Sequence, residues 1–307
     1  MMGLPESIHF IERGWVNSNQ IIVAGGDGPV LVDTGYEADT AVTLDAIAQT
    51  GIKPANITRI INTHCHWDHI GGNRAVQEAS GAKILAGPKT AEIINTGDRN
   101  AMWLDYFGAK VDPPPVDEVL RPGHDIVLGD LKFQILAVPG HAPDGIALFN
   151  QKHGLLIGGD VIFQDGDMGI LNTAVHGFGI IDQAMDTVKM LQKMNISTIL
   201  PGHGPIIYDA HSALIQLWRR LTAFLRDPAK MAWHLVRRII MNYLIIGSGQ
   251  PRDDLVATMT SYPWAKDYVF RCGYIEPEEL VNAVIDDFLA RGLIESKNGR
   301  LVSHVPR

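Results

Sequence analysis

The sequence predicts an α/β sandwich over residues 1–211, followed by a small, mainly helical, winged-helix-like domain over 212–307. Three observations carry this expectation. Short β-rich apolar runs alternate with stretches of helical periodicity through the larger, N-terminal part of the chain. Five of those runs stop at a His or an Asp, usually beside Gly or Pro. From His211 onward the periodicity is mainly helical, and the chain closes on a helix and a short hairpin.

In chain order, Ile21-Ile22-Val23 and Val30-Leu31-Val32, joined through Gly25-Gly26-Asp27-Gly28, read as a hairpin that ends at Asp33. Residues 40–49 follow as a helix with Ala41, Leu44 and Ala48 at helical spacing. The run 59–63 ends at His64, and 69–80 reads as one helix. Residues 91–122 break the rhythm: Met102, Trp103, Tyr106 and Phe107 precede Pro113-Pro114-Pro115, which forbids regular structure there. The run 133–138 ends at Pro139-Gly140-His141, 155–159 at Asp160, and 196–200 at Pro201-Gly202-His203. Between the last two, 182–194 is helical with Met185, Val188 and Leu191 on one face. Residues 276–290 form a terminal helix, and Lys297-Asn298-Gly299 turns a hairpin after it. Buried strands deliver their C-terminal residues to one edge of a sheet, where ligand sites in layered α/β folds collect.

Composition narrows the function classes. Of 307 residues, 46% are hydrophobic and 20% charged, which excludes a disordered chain and allows a sizeable core. Two cysteines, Cys65 and Cys272, make no disulfide framework. The start, Met1-Met2-Gly3-Leu4-Pro5, shows no secretory pattern, and the most apolar run, 239–246, falls far short of the roughly 20 residues that span a bilayer. A soluble, cytoplasmic protein is the expectation. The net charge of −8 divides into −11 over 1–211 and +3 over 212–307. An acidic main body disfavours nucleic acid, whose affinity rests on Lys and Arg neutralising phosphates. The pairs Arg219-Arg220 and Arg237-Arg238 in the tail could contact a backbone, but solvated helix faces explain them more simply.

The strongest signal is Thr63-His64-Cys65-His66-Trp67-Asp68-His69. Three imidazoles and a carboxylate in six residues beside an apolar strand require a partner, and imidazole with carboxylate suits a transition metal. One ion rarely needs four ligands from a single turn plus more from elsewhere; two ions do. This string, with Asp33, His141, Asp160 and His203 in order at the other strand ends, resembles the signature of the metallo-β-lactamase superfamily. The resemblance spans about 200 residues from Ile21 to His203. It implies the αββα sandwich, one metal site from His64, His66 and His141, and a second from Asp68, His69 and His203. Asp160 would bridge the ions and Asp33 would hydrogen-bond a ligand loop. Two zinc ions per chain, with iron or manganese as substitutes, would hold a bridging hydroxide that Asp68 orients.

Asp160 stands where the true β-lactamases of the superfamily lack a carboxylate, so the chain looks like the glyoxalase II, lactonase and phosphodiesterase branches. The leading expectation is therefore a hydrolase of a carboxylic ester, thioester or lactone, acting on a small molecule with an apolar or acyl part. The main alternative is a phosphodiesterase or endoribonuclease of the same fold, which the winged-helix-like tail resembles. Further readings are a mononuclear-iron persulfide dioxygenase, a promiscuous β-lactamase, or a non-catalytic metal-stabilised interaction protein. A homodimer is left open. For the substrate pocket the candidates are Tyr36, Trp103, Tyr106, Phe107, His176 and Tyr208, each near the metal edge or on the aromatic segment, with Trp103, Tyr106 and Phe107 on one helical face. Ordinary packing competes with this role at all six. Cys65, alternating with two candidate ligands, is read as core-facing.

Overall fold

Alternation along the strands sets the layering. A computed structural model describes residues 3–247 and 249–305; Met1 and Met2, which head the N-terminal stretch read above, lie outside the described residues. Strands β1 (Ile8–Ile11), β2 (Gln20–Val23), β3 (Val30–Val32), β4 (Arg59–Asn62), β5 (Lys83–Ala86) and β6 (Glu118–Val119) form one sheet in that order. Strands β7 (Asp125–Leu128), β8 (Leu131–Ala137), β9 (Ile146–Asn150), β10 (Leu155–Gly159) and β11 (Thr198–Pro201) form a second, in the order β11-β10-β9-β8-β7. Pairings from β3 through β6 and between β10 and β11 are parallel; the rest are antiparallel.

Successive side chains of a strand point to opposite faces. Ile21, Val23, Val30, Val32 and Ile61 of the first sheet meet Phe133, Ile135, Leu148 and Ile157 of the second in one cluster. Their neighbours Ile22, Leu31 and Ile60 face helices on the outer side, in a second cluster. On the far side Leu136, Phe149, Leu156 and Ile199 pack under helices in a third. Both faces of each sheet are thus covered, which gives the αββα order. Each fully buried Ile, Leu or Val contributes about 1.5–3 kcal/mol to that arrangement.

The helices are α1 (Thr40–Gln49), α2 (Trp67–Ile70), α3 (Asn73–Ser80), α4 (Pro88–Thr96), α5 (Leu104–Phe107), α6 (Thr173–His176), α7 (Gly179–Gln192), α8 (Ala210–Arg226), α9 (Pro228–Ile246), α10 (Arg252–Ser261), α11 (Pro263–Tyr268) and α12 (Pro277–Ala290). Asp209 caps α8 by accepting from Ser212 N, and Asp227 caps α9 from Ala229 N with Pro228 at its first position. Helix α9 belongs to both outer cores: Met231 packs with the second sheet's cluster, Leu235 and Ile239 with the first. The tail ends in the expected hairpin, β12 (Ile294–Lys297) and β13 (Arg300–Ser303), with Asn298 at φ 52° in its turn. Cys65 and Cys272 are buried and free, and Cys65 lies in the core as expected. No helix among the described residues is long and apolar enough to cross a membrane.

Three sequence expectations are corrected here. The single helix over 69–80 is two, α2 and α3, because Gly71-Gly72 intervene where the chain presses on the Asp33 turn. A Cβ on Gly72 would lie 2.4 Å from the Thr34 carbonyl oxygen. Helix α1 buries Thr43 and Ile47, leaving Ala41 and Ala48 exposed. Thr43 turns inward because its hydroxyl accepts from Arg13 Nη1 at 2.8 Å, a polar contact that apolar periodicity cannot register. The aromatic segment is a single helical turn, α5, and Trp103 precedes it in the left-handed region at φ 59°. Trp103, Tyr106 and Phe107 therefore do not share a helical face.

Candidate metal centre

The five strand ends converge. Asp33 follows β3, His64 follows β4 by way of Thr63, His141 lies beyond β8, Asp160 directly follows β10 and His203 lies beyond β11; the first turn of α2 supplies Asp68 and His69. Ligand-type atoms within 4.8 Å of one another form three groups: His64, His66 and His141; Asp68, His69 and His203; and His64, His69 and Asp160. Asp160 lies between the first two groups. Its Oδ1 is 3.2 Å from His69 Nε2, and its Oδ2 is 3.5 Å from His141 Nε2 and 3.6 Å from His203 Nε2. Asp68 Oδ2 is 3.3 Å from His203 Nε2.

Neighbouring groups fix how the rings present themselves. Asp33 Oδ2 accepts from His69 Nδ1 at 2.8 Å while its carboxylate also accepts from Thr63 N and Oγ1. The Ile170 carbonyl accepts from His141 Nδ1 at 2.7 Å. Thr63 Oγ1 lies 3.1 Å from His64 Nδ1. The opposite nitrogens of these rings are left pointing into the cluster, the arrangement by which outer partners prepare imidazoles for a cation. Space is as tightly set: a Cβ on Gly202 would stand 2.1 Å from Asp160 Oδ1, so only glycine fits between the β11 end and that carboxylate.

The residues fit a metal. His64 Nε2, His69 Nε2 and Asp160 Oδ1 are buried and lack an aligned hydrogen-bond partner. Unsatisfied buried polar atoms each cost about 1–3 kcal/mol, so a group of them at one point calls for a ligand. Burial, reinforced by neighbouring imidazoles, holds His64 and His66 well below the usual histidine range, which keeps them neutral and able to donate electron pairs. Burial likewise lowers His141, with Asp160 opposing it. At His69 burial pulls the same way, but the Asp160 and Asp33 carboxylates outweigh it and raise the imidazole. Burial would raise Asp160, yet His69 and His203 hold it well below the carboxylate norm.

Above the cluster lies a cavity walled by Trp15, Trp67, Trp103, Phe107 and Phe163, with His66, Asp68, His141, Asp160 and His203 on its floor. Trp103 stacks on His66 with ring centroids 3.9 Å apart, and its left-handed backbone is the kind of local strain that collects at functional sites. Of the six pocket candidates, only Trp103 and Phe107 line it. Tyr36 packs edge-on against Trp67, outside the cavity. Tyr106 points the other way and donates its hydroxyl to Asp267 near the C-terminal helices. His176 sits behind Trp103, accepting from its Nε1 at 3.3 Å; burial lowers it to about 4, so it is a neutral acceptor at neutral pH. Tyr208 is half exposed beside Pro5 and His153, in a separate depression.

Residues 13–203 match the family model described as the metallo-beta-lactamase superfamily. The chain belongs to that superfamily of metal-dependent hydrolases. It is 28% identical over 198 residues to a probable metallo-hydrolase of Methanocaldococcus jannaschii, covering 62% of this chain and 89% of that one. A hydroxyacylglutathione hydrolase of Erythrobacter litoralis is 31% identical over 136 residues, 44% of this chain and 46% of its own. An acyl-coenzyme A thioesterase of Gallus gallus is 28% identical over 155 residues, 47% and 55% respectively. The matches to these last two thus span about half of each relative. Among solved structures, a metallo-beta-lactamase family protein of Thermus thermophilus superposes with a TM-score of 0.61 at 15% identity, over 98% of this chain and 100% of that one. That likeness, a likeness of fold, includes the helical tail.

Beyond Trp103 and Phe107, part of the wall is what the sequence reading missed. Trp15, Phe163, Arg238, Ile239 and Asn242 line the cavity. Arg220 and Arg238, read above as solvated helix faces, both turn toward Asp167: Arg220 Nη1 is 3.6 Å from its Oδ1, and Arg238 donates to Oδ2. The one available signal was the position of Arg238 among buried neighbours at 235, 236, 239 and 240, which places it beside a packed face of α9 rather than opposite one.

Proposed function

We propose that this chain is a dinuclear metal-dependent hydrolase that cleaves a carboxylic ester, thioester or lactone of a small molecule. The observation that carries the reading is the meeting of His64, His69 and Asp160 atoms, buried and without aligned partners, at the shared edge of two ligand groups. His64, His66 and His141 would hold one ion, Asp68, His69 and His203 the other, and Asp160 would reach both. When bound, divalent cations supply Lewis acidity toward a carbonyl oxygen and acidify water. Asp33 and the Ile170 carbonyl accept from Nδ1 of His69 and His141, so the Nε2 of each ring would be turned toward an ion. Asp68, incompletely buried on the floor, would accept a hydrogen bond from the attacking water and aim it. The aromatic walls suit an apolar acyl part. The thioesterase and hydroxyacylglutathione hydrolase relatives support acyl transfer to water as the reaction class.

Elemental analysis of the purified chain, paired with an ester, thioester, lactone and phosphodiester panel, tests the reading. About two equivalents of zinc, iron or manganese per chain with turnover of an ester, thioester or lactone is the expected result. A metal-free protein that stays inert after metal loading overturns it, and turnover of bis(p-nitrophenyl) phosphate alone moves the assignment to a phosphodiesterase.

A further inference from the structure

The cavity wall carries a charge that the metal cluster does not use. Arg238 on α9 lines the cavity with its guanidinium 5.6 Å from the rings of both Trp15 and Phe163. It gives one hydrogen bond, to Asp167 Oδ2, and its other N–H groups have no acceptor among the described residues. Asn242, one turn further along the same helix face, also lines the cavity, and its amide has no partner among the described residues. Asp167 is shared: Arg220 Nη1 lies 3.6 Å and His234 Nε2 3.1 Å from its Oδ1. Burial keeps His234 below its ordinary range despite Asp167, so it adds no charge at neutral pH. Two guanidinium charges therefore face one carboxylate, leaving one positive charge unbalanced. Asp68 and Asp160 sit beside His203 and His69 within the two ligand groups, and on the hydrolase reading their charge would be taken up by the ions held there.

One surplus charge next to an unused amide suits a monoanion with two oxygens better than a phosphate dianion. The aromatic rings and Asp167 hold the guanidinium fork in place before a ligand arrives, which lowers the ordering cost of binding. Resting on the hydrolase reading above, we propose that Arg238 and Asn242 form a specificity subsite for a carboxylate carried by the substrate, apart from the bond that is cleaved.

Titration calorimetry of the purified full chain with 5-phenylvalerate and its uncharged amide, 5-phenylvaleramide, tests this without any turnover. The acid binds about tenfold or more tightly than the amide, the worth of a charge-assisted contact. Arg238→Met brings the two ligands within about twofold, and Asn242→Leu, which leaves the Arg238–Asp167 pair intact, cuts the preference about threefold. Asp167→Asn removes the partner and keeps the cation, so it retains the preference for the acid. If Arg238→Met leaves the preference unchanged, the carboxylate binds the floor and the subsite is overturned. It is equally overturned if Asp167→Asn loses the preference as fully as Arg238→Met, since Arg238 would then only brace the loop. Should Arg238→Met fail to fold, an unchanged preference in Asn242→Leu overturns the proposal. Failure of the hydrolase reading would show instead in the ester panel and metal content, with these binding ratios intact.

Discussion

The floor and the wall of the cavity are assembled in opposite ways. The floor comes from strand ends and the first turn of α2, and six of its seven ligand-type side chains are themselves buried. Its geometry is imposed by sheet register and by hydrogen bonds from Asp33, Thr63 and Ile170. The wall comes from an N-terminal loop, α2, the segment around α5, the loop after β10 and one helix of the tail, and Trp103 of that wall stacks on His66 of the floor. The floor is thus held by the sandwich, while the tail adds Arg238, Ile239 and Asn242 to a wall that the sandwich otherwise builds.

Several substitutions would break or sharpen that contrast. Asp160→Ala should have the largest effect, because it removes the carboxylate that reaches both ligand groups. Metal per chain should fall by about half and kcat/KM should drop by more than about 100-fold, beyond the usual cost of losing an outer-sphere partner. Elemental analysis and steady-state kinetics measure both; full metal retention would refute the shared position. Asp33→Asn keeps the volume but weakens the hold on His69, and chelator competition should show metal affinity reduced about 10–100-fold.

On the wall, Trp103→Ala should raise KM more than it lowers kcat while leaving metal per chain unchanged; a loss of metal would mean that the stack on His66 belongs to the floor. The smallest effect concerns His176, whose native pKa lies at about 4. A histidine lowered in the fold binds its proton more readily when unfolded, so its contribution is complete above the unfolded value of about 6.5 and fades as pH falls toward 4. The melting temperature of His176→Asn, relative to the parent, should therefore rise by a few degrees between pH 7 and pH 4.5.

The floor was legible because its signal is local. Three histidines and an aspartate in one string, and strand ends marked by Gly or Pro, place chemistry-bearing groups without any knowledge of tertiary contacts. The hairpin turn at Asn298 was legible for the same reason. The wall was legible only in part: the aromatic segment offered Trp103 and Phe107, but the rest of it is non-local. Trp15 and Phe163 meet Arg238 from 223 and 75 positions earlier in the chain, and Arg238 pairs there with Asp167, which no periodicity marks. Tyr106 shows the reverse error: aromatic spacing suggested a place in the pocket, but a carboxylate on α11 draws its hydroxyl away from the cavity. Thr43 was misread because a guanidinium, not an apolar neighbour, pulls it inside.

The dual membership of α9 has a consequence for how such a protein could change its diet. Its inward residues brace two separate hydrophobic layers, so they are not free to vary. Arg238 and Asn242 belong to neither layer and face the cavity instead. New substrates can be tried by exchanging two side chains on a girder that stays where it is, while the reactive machinery beneath remains untouched.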